Sequence, residues 1–479
     1  MRMLQQASWQ RSYVVGSAVL LVGLLASLRE AENEPDDENQ QLLRRLVYQE
    51  EHAPLFPLTS SDYWGFGLAV LGLMVAAGGG IGGGGILVPI YTLVFGFSPK
   101  HAIPLSNVTV LGGAMANTLL NWPKRHPLAD RPLMDWDLIL VMEPLTIAGA
   151  LIGAFLNKIL PELLLTILLV ILLSLTAHNS LTKAIQMYKK ETKAAQQQSQ
   201  VAKILHEQEH EEEEEATEAL LQQVDHKDEE QELEQIQIDA DLEQILAEER
   251  VIPSTNVLLL LTLFLVVLTI NVLKGGGAWH SPLGIRCGSQ GFWVANLAML
   301  LWILVVTYLA RRYLLQRFHR KQACGYTYVE GDIQWTAKAT LLYPGVCCAA
   351  GFFAGMFGVG GGIVKGPLML AMGVHPAVSS ASSACMILFT SFTATTSFLV
   401  FGLLVADYAW VCWAVGFGAT LVGQVGLAYL MKKQQRNSYI AFSIGGVVLL
   451  SAILMTIQSL LSLAEGEHHH SGGICGKGD

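Results

Sequence analysis

Apolar runs of membrane-crossing length recur along the chain, separated by short polar stretches. A helix needs roughly 20 apolar residues to cross about 30 Å of hydrocarbon. Runs of that kind fall at 63 to 79, 101 to 121, 138 to 157, 161 to 181, 255 to 273, 292 to 310, 337 to 357, 377 to 400, 408 to 430 and 438 to 463. Two shorter runs, 81 to 97 and 359 to 374, each open on glycines and read as broken or re-entrant segments. The pattern predicts an all-α polytopic membrane protein. An earlier run, "SYVVGSAVLLVGLLASL" at 12 to 28, follows Arg2 and Arg11 and precedes an acidic, proline-containing stretch. It reads as a signal peptide, with an uncleaved signal anchor as the alternative.

The two glycine-opened runs are related to each other. "GIGGGGILVPIYTLVFGFSPKHAIPLSN" from Gly80 aligns with "GVGGGIVKGPLMLAMGVHPAVSSASSA" from Gly358, pairing Gly82 with Gly360, Gly83 with Gly361, Gly84 with Gly362 and Pro89 with Pro367. After a one-residue gap, Ser106 pairs with Ser383. If both runs count as crossings they are the second and the ninth, so the copies lie upside down relative to one another. Two inverted-topology repeats with glycine-broken helices are a recurrent plan of secondary transporters. Glycine holds a helix poorly, and unsatisfied backbone at membrane depth is tolerated only inside protein or along a wet cavity.

A rival reading of the first run is a dinucleotide loop, because Gly80, Gly82 and Gly85 match G-x-G-x-x-G. That fingerprint needs an acidic residue about 20 positions on, and a P-loop needs Gly-Lys-Ser/Thr. "SPKHAIPLSN" supplies neither. Close helix packing through small residues is the other alternative. Gly149 and Gly153 in "GALIGAF" suit that role better.

Composition agrees with a membrane protein: 52% hydrophobic, 15% charged and a mean hydropathy of +0.41. The formal net charge is −10, yet residues 191–250 hold 20 acidic and only 4 basic residues. The rest of the chain is mildly basic. Its clusters lie at 122–127, at Lys183, Lys189 and Lys190, at 311–322 and at 431–436. Lys and Arg accumulate on the cytoplasmic side. With both glycine runs counted as crossings, every cluster shares that side; residues 29–62 and the loop 274–291 lie on the other.

The paired G-x-G-G-G followed by proline, then G-x-x-P and a Ser/Thr-rich helix, resembles the sulfite exporter TauE/SafE family of integral membrane transporters. "RHP", "MEPLTIAGALIGAFLNKILP" and "GMFGVGGGIVKGPLML" look like its eukaryotic branch. The resemblance covers about residues 63–190 and 337–463, and it implies export of a small anion, sulfite or an organosulfonate. "NVTV" in the first copy departs from the family's Ala-Thr-Ser type sequence, and the acidic insertion is not part of the family core.

For such an anion, Gly82, Gly83 and Gly84 with Gly360, Gly361 and Gly362 offer backbone N–H groups at helix starts. Ser106, Asn107 and Thr109 in the first copy, and Ser382 and Ser383 beside Ser379 and Ser380 in the second, offer side-chain donors. Such hydroxyls also commonly bond the preceding turn. Lys365 is the sharpest candidate, because an ionisable group inside a membrane segment is costly and usually functional; its alternative is a cation snorkelling to the interface. Glu143, ahead of Pro144, either carries a coupling proton or pairs with a basic residue such as Lys365. His101 and His375 read as interfacial.

The expected organisation is a signal peptide or anchor at 1–28, a non-cytoplasmic acidic segment at 29–62, a first transmembrane repeat at 63–190 and an acidic cytoplasmic insertion at 191–250. Linker helices and a basic loop at 251–336, a second repeat at 337–463 and a tail at 464–479 complete it. The insertion is free of Gly and Pro and favours helix where ordered, as a hairpin or a protein-partner-binding helix; "EEEEE" argues for a solvated stretch. Its first half is expected to be disordered.

Seven cysteines make no framework, though Cys287 and Cys475 share the side where a disulfide is permitted. His468 to His470 lack a second ligand set, so no metal is assigned. No cofactor, nucleic acid or catalytic constellation is implied; the partners are a small anion and the bilayer. A receptor or scaffold recruiting partners through the insertion is the alternative function, and a cation carrier using Glu143 is a further one.

Overall fold

The computed structural model describes residues 55–77, 83–208, 229–276, 279–434 and 438–465. The signal or anchor segment, Gly82, residues 209–228 of the acidic insertion and the histidine tail lie outside them. The chain divides at Pro57 into two units, and everything below belongs to Leu58–Asp479.

The helices are α1 (Ser60–Ala77), α2 (Gly84–Leu93), α3 (Pro99–Asn121), α4 (Trp136–Ile159), α5 (Glu162–Gln208), α6 (Glu229–Arg250) and α7 (Ser254–Lys274). They continue as α8 (Gln290–Ala323), α9 (Ala339–Phe357), α10 (Gly362–Ala371), α11 (Pro376–Val400), α12 (Ala406–Gln434) and α13 (Ser438–Glu465). Among the described residues, eight helices are long and apolar enough to cross a membrane. The ten predicted runs each begin within a few residues of a helix start, but α5 and α8 run on well past the predicted ends, and α1 and α13 are not among the eight. Their boundaries have local causes: Asp135 caps α4 by accepting from the N–H groups of Asp137 and Leu138, and Pro99 and Pro376 open α3 and α11 where no N–H is needed.

Two ends of the bundle are marked by contacts. At the basic end, His126 meets His375, Arg131 pairs with Asp332 and Arg125 donates to the Arg250 carbonyl at 2.7 Å. At the opposite end, His101 Nδ1 lies 3.0 Å from the Leu403 carbonyl oxygen, Lys158 donates to the Phe401 carbonyl and the Tyr408 hydroxyl donates to Asp62. Helices α3, α4 and α11 are the most enclosed, while α7 and α8 turn Leu258, Leu265, Leu297 and Leu301 outward. An outward apolar surface costs nothing where the solvent is lipid.

The glycine segments differ from full crossings. A Cβ on Gly65 would strike Phe95, and one on Gly72 would strike Ile86, so α2 runs antiparallel to α1 and returns to the end where α1 began. At 10 residues it spans only about 15 Å. Helix α10, also 10 residues, likewise starts beside α9, at Ala354, and returns to the basic end, where Gly331 meets Gly373 and His375. The hairpins therefore open toward opposite ends. A hairpin leaves the chain on its starting side as two crossings would, so the expected side of the basic clusters does not turn on whether the glycine runs cross fully. The insertion also departs from expectation: residues 191–208 continue α5 as helix, as a stretch without Gly or Pro favours.

Gly149 and Gly153 do pack helices. A Cβ on Gly149 would lie 2.1 Å from the Cys348 carbonyl oxygen, and one on Gly351 would lie 2.0 Å from that of Thr146. Helices α4 and α9 thus present small-xxx-small faces to each other. Gly345, on the same helix as Gly351, faces open space. Gly351→Ala is expected to destabilise the purified protein by about 1–3 kcal/mol through overpacking, whereas Gly345→Ala leaves it unchanged or slightly firmer. Thermal melting in detergent separates the two.

Candidate functional site

The two glycine breaks meet. A Cβ on Gly84 would come within 2.5 Å of the Val359 Cα and 2.6 Å of the Gly358 carbonyl oxygen, an approach only glycine allows. Ser106 on α3 ties the junction together, donating to the Gly358 carbonyl at 3.0 Å and lying 3.4 Å from that of Gly84. Gly83 and Gly361, the N-caps of α2 and α10, have φ of 73° and 68°, and neither helix start is capped by a side chain. Two uncapped helix N-termini, each the positive end of a dipole, therefore begin at one interior point.

Beside this junction lies a charge pair. The Lys365 ammonium is 3.1 Å from Glu143 Oε2 and donates to the Thr390 hydroxyl at 2.9 Å. Thr390 Oγ1 lies 2.6 Å from Glu143 Oε1 and 2.9 Å from the Met386 carbonyl oxygen. Lys365 and Glu143 are both fully buried. Lys365 does not snorkel, and Glu143 is its partner. Three elements supply the triad: α10 the lysine, α4 the carboxylate and α11 the hydroxyl.

The other sequence-selected groups divide. Asn107 donates to the Ser391 carbonyl at 2.8 Å and to Thr395 at 3.0 Å, tying α3 to α11. Thr109 donates to the Leu105 carbonyl and lies 2.6 Å from the Tyr91 hydroxyl. Ser382 accepts from the N–H of Asp135, and Ser379 donates to the Gly366 carbonyl at 3.3 Å. Ser106, Asn107, Thr109 and Ser382 are thus committed to the frame. The Ser383 hydroxyl is different, being buried without a hydrogen-bond partner, as is that of Ser391. Ser383 precedes Thr390 by two helical turns, which puts both on one face of α11. Thr390, Ser391 and Tyr91 were missed in the sequence. The seven-residue step from Ser383 to Thr390 was a usable signal.

Below the triad, at the basic end, lies a cavity of about 80 Å³ bounded by Arg131, Asp135, Asp137, Glu249, Arg317, Lys321 and Asp332, with Trp136 and Val378 from the starts of α4 and α11. Arg317 grips Asp137 with both carboxylate oxygens at 2.9 Å. Burial, and then the neighbouring Asp137 carboxylate, push the Asp135 carboxyl above its usual range. Burial would also raise Glu249, but Lys321, Tyr326 and Arg131 outweigh it and hold that carboxyl below its ordinary value. This cluster too escaped the sequence reading, because its members come from four separate segments. Among the described residues, no group of three or more His, Cys, Asp or Glu could hold a metal ion.

Fold and junction together define a multi-pass α-helical membrane protein of transporter type. The chain belongs to the sulfite exporter TauE/SafE family, whose profile matches residues 65–220 and 343–476. It is similar to Sulfite exporter TauE/SafE family protein 5 of Arabidopsis thaliana, 27% identical over 449 residues that cover 93% of this chain and 94% of that protein. Family protein 2 of the same plant is 27% identical over 86% of each chain. Family protein 3 is 28% identical over 78% of this chain and 74% of its own. No solved structure matches the chain.

Removing one member of a buried ion pair strands the other and costs about 3–5 kcal/mol, whereas replacing both with apolar residues is often neutral. Lys365→Met and Glu143→Leu alone are each expected to lower the melting temperature sharply. The double variant Glu143→Leu/Lys365→Met should recover most of it. Melting curves of the four purified proteins check the coupling.

Proposed function

We propose that this chain exports a small oxyanion, sulfite or an organosulfonate, by alternating access about the glycine junction. The observation that carries the reading is the meeting of two uncapped helix starts beside a buried lysine. Broken-helix N-termini direct N–H groups and positive dipole ends at an anion, and Lys365 adds a full charge. Helices α1 to α5 and α9 to α13 act as the two inverted repeats in this reading, rocking against each other, with the hairpins α1–α2 and α9–α10 opening to opposite sides.

Glu143 supplies the coupling. While ionised it neutralises Lys365, and the pair offers an incoming anion no net charge. A proton on Glu143 releases the ammonium, which then serves the anion together with the unpaired Ser383 hydroxyl. Proton and anion thereby move as one neutral unit, avoiding the cost of carrying bare charge across hydrocarbon. The basic end faces the cytosol in this scheme, in keeping with the distribution of Lys and Arg. The disulfide at Cys287, in the loop between α7 and α8, supports an oxidising compartment on the other side, while Cys324, Cys347, Cys348, Cys385 and Cys412 are free thiols.

Sulfite flux from proteoliposomes tests the reading. The native protein should move sulfite saturably and faster when the vesicle lumen, the side the anion leaves, is the more acidic, and Lys365→Arg should keep part of that rate. Glu143→Gln, which copies the protonated carboxyl, should transport or exchange anion with its pH dependence lost. A Glu143→Gln protein with the native pH profile would remove Glu143 from the coupling. A native protein that carries neither sulfite nor sulfonates would remove the substrate assignment.

A further inference from the structure

The last turn of the acidic insertion does something specific at the basic end. Glu249, near the C-terminus of α6, places its carboxylate among four donors from three separate segments. Oε1 meets the Lys321 ammonium and lies 3.7 Å from Arg317 Nη2. Oε2 accepts from the Tyr326 hydroxyl at 2.7 Å and lies 3.9 Å from Arg131 Nη1. Two of these cations have a second carboxylate, Asp332 for Arg131 and Asp137 for Arg317. Lys321 is otherwise set 4.5 Å over the Tyr326 ring. Asp135 borders the same cavity, so without Glu249 the cluster would stay near neutral overall, but Lys321 would lose its carboxylate and several donors would be unfilled.

We propose that Arg131, Arg317, Lys321 and Tyr326 form a binding site for a small inorganic oxyanion, and that Glu249 occupies it as a tethered competitor. Four donors around two carboxylate oxygens suit an ion with three or four oxygens at least as well. Arg131, Arg317, Lys321 and Glu249 border the cavity of about 80 Å³, several times the ~10–15 Å³ that admits one water, so an ion has room beside the carboxylate. The cavity also touches Trp136 and Val378, at the starts of the helices that carry Glu143 and Thr390. An anion held here stands at the mouth of the transport path. The binding site is independent of the reading of the junction; its consequence, that the docked insertion holds back anion entry, rests on that reading.

A tethered carboxylate acts at an effective concentration in the millimolar range. The native protein should accordingly bind sulfate weakly. Equilibrium dialysis of the purified full chain with radiolabelled sulfate tests this. Glu249→Gln removes the competing charge and keeps an acceptor for Tyr326, and it is expected to bind about tenfold more tightly, the scale of one charge-assisted contact. Glu249→Gln/Lys321→Gln should lose the gain. The gain should persist in the Glu143→Leu/Lys365→Met background, which places the ion away from the junction whether or not sulfite flux is ever seen. Unchanged affinity in Glu249→Gln, or a gain that vanishes in that background, overturns the site.

A wild-type measurement stands beside the variants in case Glu249→Gln fails to fold. Arg250 is exposed, but its carbonyl accepts from Arg125, so cleavage after it, which needs the chain extended in the protease, is favoured when the end of α6 lifts. Sulfate at tens of millimolar should speed cleavage after Arg250 relative to chloride at equal ionic strength, as followed by mass spectrometry. Equal rates in the two salts would reduce the cluster to a structural clamp.

Discussion

A lysine and a glutamate lie at the centre of a membrane bundle, and neither could remain there alone. Desolvating a single ion costs several kcal/mol even after relaxation, so Lys365 and Glu143 hold each other in place. Thr390 completes the geometry by touching both. The consequence is architectural. Because the lysine rides on the short helix α10 and the carboxylate on the enclosed helix α4, the pair fixes a re-entrant segment against the body of the bundle. A side-chain contact thus sets the position of a helix that makes only about 15 Å of the crossing.

Around that pair, the glycines and hydroxyls have separable tasks. Gly84 and Gly358 let two backbone breaks touch, and Ser106 bonds across the contact. Asn107 fastens α3 to α11 through the Ser391 carbonyl. These groups are buried, polar and satisfied, as groups in a low-dielectric interior must be. Ser383 and Ser391 are not satisfied. An orphaned hydroxyl costs about 1–3 kcal/mol, so two of them on the helix that carries Thr390 mark a place where the resting arrangement is incomplete.

Much of this was legible in the chain. Hydrocarbon thickness dictates helix length, so the long apolar runs marked where the helices begin to within a few residues, though not where α5 and α8 end, and the glycine repeat marked both breaks. Lys365 and Glu143 stood out because a charge is conspicuous in an apolar run, and pairing was one of the two readings open to Glu143. What could not be read was which faces meet. In lipid the outward face of a helix is as apolar as the inward one, so the periodicity that orients a helix in water is erased. Asn107 was selected as a donor, but its partner is 284 residues away. The antiparallel course of α2 against α1 depends on Gly65 and Gly72 meeting Phe95 and Ile86, contacts that no local pattern announces. The cluster around Glu249 drew no notice because its charges are scattered over four segments, and those on α6 and α8 sit in acidic and basic stretches that read as solvated surface.

The charged cluster and the buried pair obey one rule at different depths. At the centre, a carboxylate and an ammonium are fully sheltered, and in the proposed scheme a proton separates them. At the basic end, Glu249 and its four donors are only partly sheltered, so an ion from solution can compete where at the centre it cannot. Helices α4 and α11 run from one to the other, with Ser382 accepting from the Asp135 backbone at the rim of the cavity and Thr390 lying about two turns deeper on α11. An anion moving inward along these helices would therefore exchange one internally neutralised cation for another, each released by a carboxylate that has to be displaced or protonated. Under that proposal selectivity would rest on the exchange: a solute that cannot replace a carboxylate, because it is neutral or cationic, would meet two closed ion pairs in succession.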